Sequence, residues 1–185
     1  MSRATCALCH YPLKTCVCEA VSNIDCQTKI YVMQHPSEVK AAKNTIRLAQ
    51  LCLPNLTVFV GEESDSFKEI QSLPAENTFL LYPNDNAVEV EKLDLENSQK
   101  INLIILDGTW KKAYKLKMKN PWLLKFKTLS FANLPENQYI IRKTKRADSL
   151  SSLEAIAYTI EVLENADTQP LYNVLNKMMG SFIKH

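Results

Sequence analysis

The most constraining stretch of this chain is residues 101–106: Ile101, Asn102, Leu103, Ile104, Ile105 and Leu106. Five of the six are apolar and they do not alternate with polar residues. A run this short and continuous predicts a strand buried on both faces, which belongs to a parallel sheet covered by helices. Other apolar runs at residues 29–34, 56–60 and 78–82 predict further strands, as do 128–131 and 138–142. Helical periods fall between them. Val39, Ala42, Ile46, Ala49 and Leu53 recur every three or four residues up to Pro54, and helices are also expected at 66–73 and 109–119. Ser151, Ser152, Leu153 and Glu154 form a capping-box pattern, followed by a stripe of Leu153, Ile156, Ile160 and Leu163. Leu171, Leu175, Met178 and Phe182 predict a last helix. This alternation predicts an α/β domain over residues 28–185, with a mainly parallel sheet and helices on both faces. Ligands in such sheets bind at the carboxyl ends of the strands.

Glycine limits what those ends can be. The chain has only Gly61, Gly108 and Gly180. A dinucleotide fingerprint or a P-loop needs clustered glycines so that backbone can approach phosphate, so both are excluded. Hydrophobic residues at 46% and charged residues at 23% exclude disorder over most of the chain. No apolar run reaches the roughly 20 residues of a membrane span. The first residues carry no apolar signal core, so a cytoplasmic protein away from membranes is expected. No feature points to an obligate protein partner.

Cysteine divides the chain. Cys6, Cys9, Cys16 and Cys18 fall within thirteen residues, while Cys26 and Cys52 are scattered. Residues 1–27 therefore read as a small Cys-rich module. Four thiolates at these spacings can surround one tetrahedral zinc, with Pro12 turning the chain between the pairs; His10 is an alternative ligand. A segment this short has no core of its own, so the zinc is read as structural.

Three motifs follow expected strands. His35, Pro36 and Glu38 come after the first; Glu38 suits a helix start, whereas His35 has no evident structural task. Tyr82 and Pro83 come after the third. Asp107, Gly108, Thr109 and Trp110 follow the most apolar strand. Thr109 can cap the next helix and Trp110 can pack, but an acid there costs desolvation unless it is paired or used. Charge is also uneven. Residues 111–146 hold eleven Lys and Arg against one acid, and residues 62–96 hold ten acids against two lysines, in a chain of net charge +2. A basic segment of this kind suggests a polyanionic partner.

In order, Cys6-x-x-Cys9-x-x-Pro12, Cys16-x-Cys18, His35-Pro36-x-Glu38, Asp107-x-Thr109-Trp110 and Leu150-Ser151-Ser152-x-Glu154-Ala155 resemble the DTW-domain family. The resemblance spans nearly the whole chain. Ser152 stands where the family often has Thr, which keeps the hydroxyl. It implies a SPOUT-like α/β fold and a tRNA-uridine aminocarboxypropyltransferase. S-adenosylmethionine would donate its 3-amino-3-carboxypropyl group to N3 of a uridine, leaving methylthioadenosine. The resemblance implies Asp107, His35 and Glu38 as catalytic residues. Asp107, its pKa raised by apolar neighbours, is either the general base or the holder of the methionine ammonium. Tyr82, Pro83, Leu106, Gly108, Thr109 and Trp110 would hold the S-adenosylmethionine, with Ser151, Ser152 and Glu154 at the rim. Lys111, Lys112, Lys115, Arg142, Lys143 and Arg146 would meet tRNA phosphates. Two other readings compete: a SPOUT-type RNA methyltransferase with the same cofactor, and a non-catalytic zinc-ribbon RNA-binding module, which explains the basic stretch and the cysteines but leaves Asp107 and the strand-end motifs idle. An rRNA acceptor is a further option.

Overall fold

The computed structural model describes residues 4–93, 100–134, 138–139 and 150–183. Six strands form one parallel sheet: β1 (Lys29–Gln34), β2 (Leu56–Val60), β3 (Thr78–Leu81), β4 (Val88–Glu89), β5 (Asn102–Asp107) and β6 (Lys127–Ser130). Their order is β2-β1-β5-β3-β6-β4. Every residue of β5 is buried, as its unbroken apolar run requires, and β1 and β3 flank it. Its Asn102 is accommodated by a 3.0 Å bond from Nδ2 to the Thr78 hydroxyl.

Five α-helices cover the sheet: α1 (Thr45–Cys52), α2 (Lys68–Gln71), α3 (Trp110–Lys119), α4 (Ser152–Glu164) and α5 (Gln169–Ile183). Successive strand residues point to opposite faces. Ile30, Val32, Phe79, Leu103 and Ile105 therefore pack with α1, α4 and α5. Tyr31, Met33, Leu80, Ile104 and Leu106 pack with Ile70, Ala113, Leu116 and Leu123 on the other side. Helices thus lie on both faces. Among the described residues no helix is long and apolar enough to cross a membrane.

Two expectations change. The first helix does not begin at Val39. Residues 36–38 make one 3-10 turn, Val39 is exposed, and α1 starts after Asn44, whose Oδ1 accepts the Arg47 N–H at 3.2 Å. An N-cap amide at this position outweighs the extrapolated period. The helix expected at 66–73 starts two residues earlier, as a 3-10 turn over Ser64–Phe67, and continues as one α turn, Lys68–Gln71, which is α2. The two-residue β4 carries too little pattern to be read. The strand expected at 138–142 lies, past Tyr139, outside the described residues.

The N-terminal segment packs onto the α1/α4/α5 face. Cys9, Tyr11, Val17 and Ile24 are buried in the same cluster as Leu171 and Leu175 of α5. Glu164, ending α4, accepts the N–H groups of Gln27 at 2.6 Å and Thr28 at 2.7 Å, pinning the entry to β1. Lys177 of α5 pairs with Glu19.

Candidate functional site

The carboxyl ends of β1, β5 and β3 lie side by side, and Asp107 is the last residue of the central strand. It is only 7% exposed. Its Oδ2 accepts from Gln34 Nε2 at 2.8 Å and its Oδ1 from the Ser152 hydroxyl at 2.6 Å. The register makes the first bond possible, because Gln34 pairs directly with Asp107. The capping box makes the second possible. Ser151 Oγ accepts the Glu154 N–H, Glu154 accepts the Ser151 N–H at 2.8 Å, and Ser152 is thereby set at the start of α4. Gly108 follows without a side chain; a Cβ there would lie 2.9 Å from Lys112 Cβ.

Two cavities adjoin beside this residue, and its carboxylate lines the smaller of them. One, of about 500 Å³, is lined by Tyr82, Pro83, Leu106, Trp110, Phe131 and Leu150 among others. The second, of about 180 Å³, is lined by charged and polar side chains that include Glu38, Lys43, Asn44, Thr45, Asp107 and Tyr139. Gly108 and Ser152 line both. Tyr82 packs edge-on to Trp110 with ring centroids 6.4 Å apart, and Lys117 Nζ lies 4.4 Å from the Tyr82 ring centre. Thr109 caps α3, accepting the Lys112 N–H.

A chain of ion pairs runs along the mouth. Glu38 Oε1 takes Lys112 Nζ at 2.6 Å. Glu62, just past β2, takes Lys115 at 2.6 Å and Lys119 at 3.1 Å, and its other oxygen lies 2.8 Å from His35 Nε2. Hydrogen bonds from Lys115 and then Lys119 lower the Glu62 carboxyl to about 2. The His35 ring is held on both sides, its Nδ1 lying 2.9 Å from the Ser37 hydroxyl. Its backbone N–H donates to the Asp107 carbonyl at 3.1 Å.

The structure brings together Asp107, Ser152, Gly108, Tyr82, Pro83, Leu106 and Trp110. Glu38 sits at the second cavity. Ser151 and Glu154 line neither cavity. Glu154, 1% exposed, also accepts the N–H groups of Gln138 at 2.7 Å and Tyr139 at 3.0 Å, so its carboxylate serves the backbone. Of the basic residues, Lys111 is exposed, Lys112 and Lys115 are ion-paired on α3, and Arg142, Lys143 and Arg146 lie outside the described residues. The reading by motif missed Gln34 and Glu62. Both stand at strand ends, so the rule that found Asp107 would have found them had polar residues there been followed as closely as the DTW motif.

The four N-terminal thiols gather at one point, all Sγ atoms within 4.8 Å of one another. None is in a disulfide. Cys6 and Cys18 Sγ are 3.6 Å apart, and Cys9 and Cys16 Sγ 3.7 Å. Sulfurs around a tetrahedral ion with bonds near 2.3 Å lie about 3.8 Å apart, so the donor set fits a metal of that kind. His10 is outside the group and turns the chain with φ 57°. Backbone N–H groups of Cys9 and Leu8 aimed at Cys6 lower its thiol to about 6, while its thiol neighbours, Cys16 foremost, push Cys18 up.

A DTW domain model matches residues 3–184. The chain belongs to the DTW-domain family. Among relatives of this DTW-domain chain are proteins named tRNA-uridine aminocarboxypropyltransferase 2. That of Mus musculus is 28% identical over 99% of this chain and 65% of its own length. Those of Macaca fascicularis and Drosophila melanogaster are 30% and 29% identical, each over 88% of this chain, and over 57% and 68% of their own lengths. The DTW-domain chain therefore spans about two thirds or less of most of these relatives. No solved structure matches it.

Proposed function

We propose that this chain transfers the 3-amino-3-carboxypropyl group of S-adenosylmethionine to N3 of a uridine in tRNA. The observation that carries this reading is the buried Asp107 carboxylate in the smaller cavity, bound to Ser152 where that cavity adjoins the larger one. The larger cavity has the volume and mixed lining expected for a nucleoside, and the relatives' name supplies the reaction class. Tyr82, Pro83, Leu106 and Trp110 would grip the adenosine portion. The second cavity, with Glu38 and Asp107 beside Lys43 and the N-terminus of α1, suits a zwitterionic amino-acid head. Bound so, S-adenosylmethionine supplies a sulfonium: a bond forms from N3 to the γ-carbon, the γ-carbon–sulfur bond breaks, and its electron pair leaves on sulfur as methylthioadenosine.

The residues of the chain contribute by position and charge. Holding the γ-carbon rather than the methyl toward the nucleophile is a matter of orientation, which fixed cavities provide. Uridine N3 must lose its proton as it attacks. Asp107, whose carboxylate accepts from Gln34 and Ser152, is assigned either to take that proton or to hold the ammonium. His35 and Glu38 are the other groups assigned to catalysis, His35 as a positioning residue that links β1 to Glu62. Lys111, Lys112, Lys115, Arg142, Lys143 and Arg146 would meet tRNA phosphates. Ser151 and Glu154 act by setting Ser152. The four cysteines are assigned to a structural zinc, and the domain to a SPOUT-like class.

The test is a transfer assay with unmodified tRNA and two donors, one labelled in the carboxypropyl carbons and the other in the methyl. Label entering tRNA only from the first is the expected result. Label only from the methyl makes the chain a methyltransferase. No label, with no thermal shift on adding S-adenosylmethionine, makes it a binding module.

A further inference from the structure

Helix α3 carries a surface of which the chemistry above uses only Trp110 and Lys111. Its buried side is Ala113 and Leu116. On another side, four residues apart, stand Trp110, Tyr114 and Met118, with 47%, 56% and 61% of their surface exposed. Residues four apart share one face of a helix, so these three make a continuous apolar ridge about 12 Å long. It begins at Trp110 in the mouth of the larger cavity and leads outward. Apolar side chains in such a row stabilise a helix in water only slightly.

The charge around the ridge is equally uneconomical for stability alone. The helix holds five lysines and no acid. Lys111 lies in its first turn, where a cation opposes the helix dipole. Lys112, Lys115 and Lys119 are tied to Glu38, Glu62 and Glu63. Lys111 has no acidic partner among the described residues, and Lys117 leans on the Tyr82 ring rather than on an acid. The ridge is therefore an aromatic and thioether strip edged by two cations without counter-charges. Aromatic faces with adjacent cations bind unpaired nucleotides, the bases stacking and the phosphates meeting the lysines. A second copy of the chain is a poorer occupant, because it would set these cations against each other.

We infer that the Trp110–Tyr114–Met118 ridge of α3 is a stacking platform for the unpaired nucleotides flanking the base that enters the cavity. This rests on the proposed RNA reaction and adds to it the single-stranded character of the RNA segment and the residues that receive it. Tyr114 is the decisive side chain, because it lies outside both cavities and makes no part of the core.

Fluorescence anisotropy tests this with a labelled 12-nucleotide oligouridylate and a labelled 12-base-pair RNA duplex. Tyr114→Ala is expected to weaken oligouridylate binding by about fivefold or more, the low end of the loss per stacked base. Tyr114→Phe should bind like the parent, and duplex affinity should change less than about twofold. Thermal stabilisation by S-adenosylmethionine should be the same in all three proteins. If Tyr114→Ala fails to fold, Tyr114→Gln carries the same test. The inference is overturned if the parent does not bind oligouridylate, if Tyr114→Ala binds it equally well, or if duplex binding falls as far. It is also overturned if light scattering shows a dimer that Tyr114→Ala dissociates while RNA affinity stays unchanged. Its failure is separable from failure of the reaction. A parent that binds oligouridylate through Tyr114 yet transfers no label keeps the platform and loses the chemistry. Transfer with an unchanged KM for tRNA in Tyr114→Ala does the reverse.

Discussion

Asp107 and Glu154 are both buried carboxylates, but their surroundings give them different tasks. Glu154 accepts three backbone N–H groups, from Gln138, Tyr139 and Ser151. Replacing it by Ala would orphan buried donors, at about 1–3 kcal/mol for each one left unsatisfied. Urea unfolding of Glu154→Ala should thus show a loss of about 3 kcal/mol or more. Asp107 instead lines the smaller cavity and holds Ser152, which lines both. Asp107→Asn should lower transfer at least about 100-fold, the scale of a lost general base, while S-adenosylmethionine still stabilises the protein in a thermal shift. Loss of that stabilisation as well would move Asp107 to holding the ammonium. Gly61 makes a third case. A Cβ there would lie 2.3 Å from Ser66 Cβ, so Gly61→Ala forces β2 and the following turn apart. Overpacking of this kind costs about 1–3 kcal/mol, readable in the same unfolding experiment.

At the level of elements, α3 is held on the sheet by ion pairs as well as by the packing of Ala113 and Leu116. Its lysines reach across to Glu38 beside β1 and to Glu62 and Glu63 beyond β2. Glu62 falls from 4.5 to about 2 on folding, through Lys115 first and Lys119 second. A carboxyl lowered by folding contributes stability above its unfolded pKa, and that contribution is lost as pH falls through the folded value. Stability from Glu62 is therefore complete above about pH 4.5 and gone near pH 2. Glu62→Gln should be less stable than the parent at pH 7, and the gap should close on titration to pH 2, as followed by denaturant midpoints. Where helices begin is a local matter only in part. Thr109 and Ser151 were legible as caps because a hydroxyl three residues ahead of a free N–H is a signal contained in one turn. Asn44 is the same kind of signal, but the apolar period starting at Val39 obscured it. Val39 and Ala42 are both exposed, so their spacing reports no buried face.

At the scale of the molecule, the Cys-rich segment is fastened to the α1/α4/α5 face rather than appended to it. Cys9 and Tyr11 are buried, and Arg47 of α1 stacks on the Tyr11 ring at 3.8 Å. Removing the metal should therefore disturb the main core as well as the segment. Elemental analysis should find one zinc per chain, and a strong chelator, or Cys9→Ser, should lower Tm by more than about 5 °C. An unchanged Tm with no bound metal would remove the structural zinc from the account. The five longer strands, the four-thiol cluster, the capping box and the strand-end position of Asp107 were all determined by the sequence itself. Each is written within about a dozen consecutive residues, as a period, a spacing or a local hydrogen bond. The strand order β2-β1-β5-β3-β6-β4 was decided only by the tertiary structure, and with it the neighbours of Asp107. Gln34 and Ser152 lie 73 and 45 positions from it along the chain. The sheet also set His35 and two lysines on Glu62, and turned the Glu154 carboxylate to the backbone rather than to a ligand. Side chains of one type carry no record of which distant partner they will meet. That choice belongs to the packing of β1, β5 and β3 edge to edge, which buries the most apolar run in the chain and leaves its one acid where the strands end.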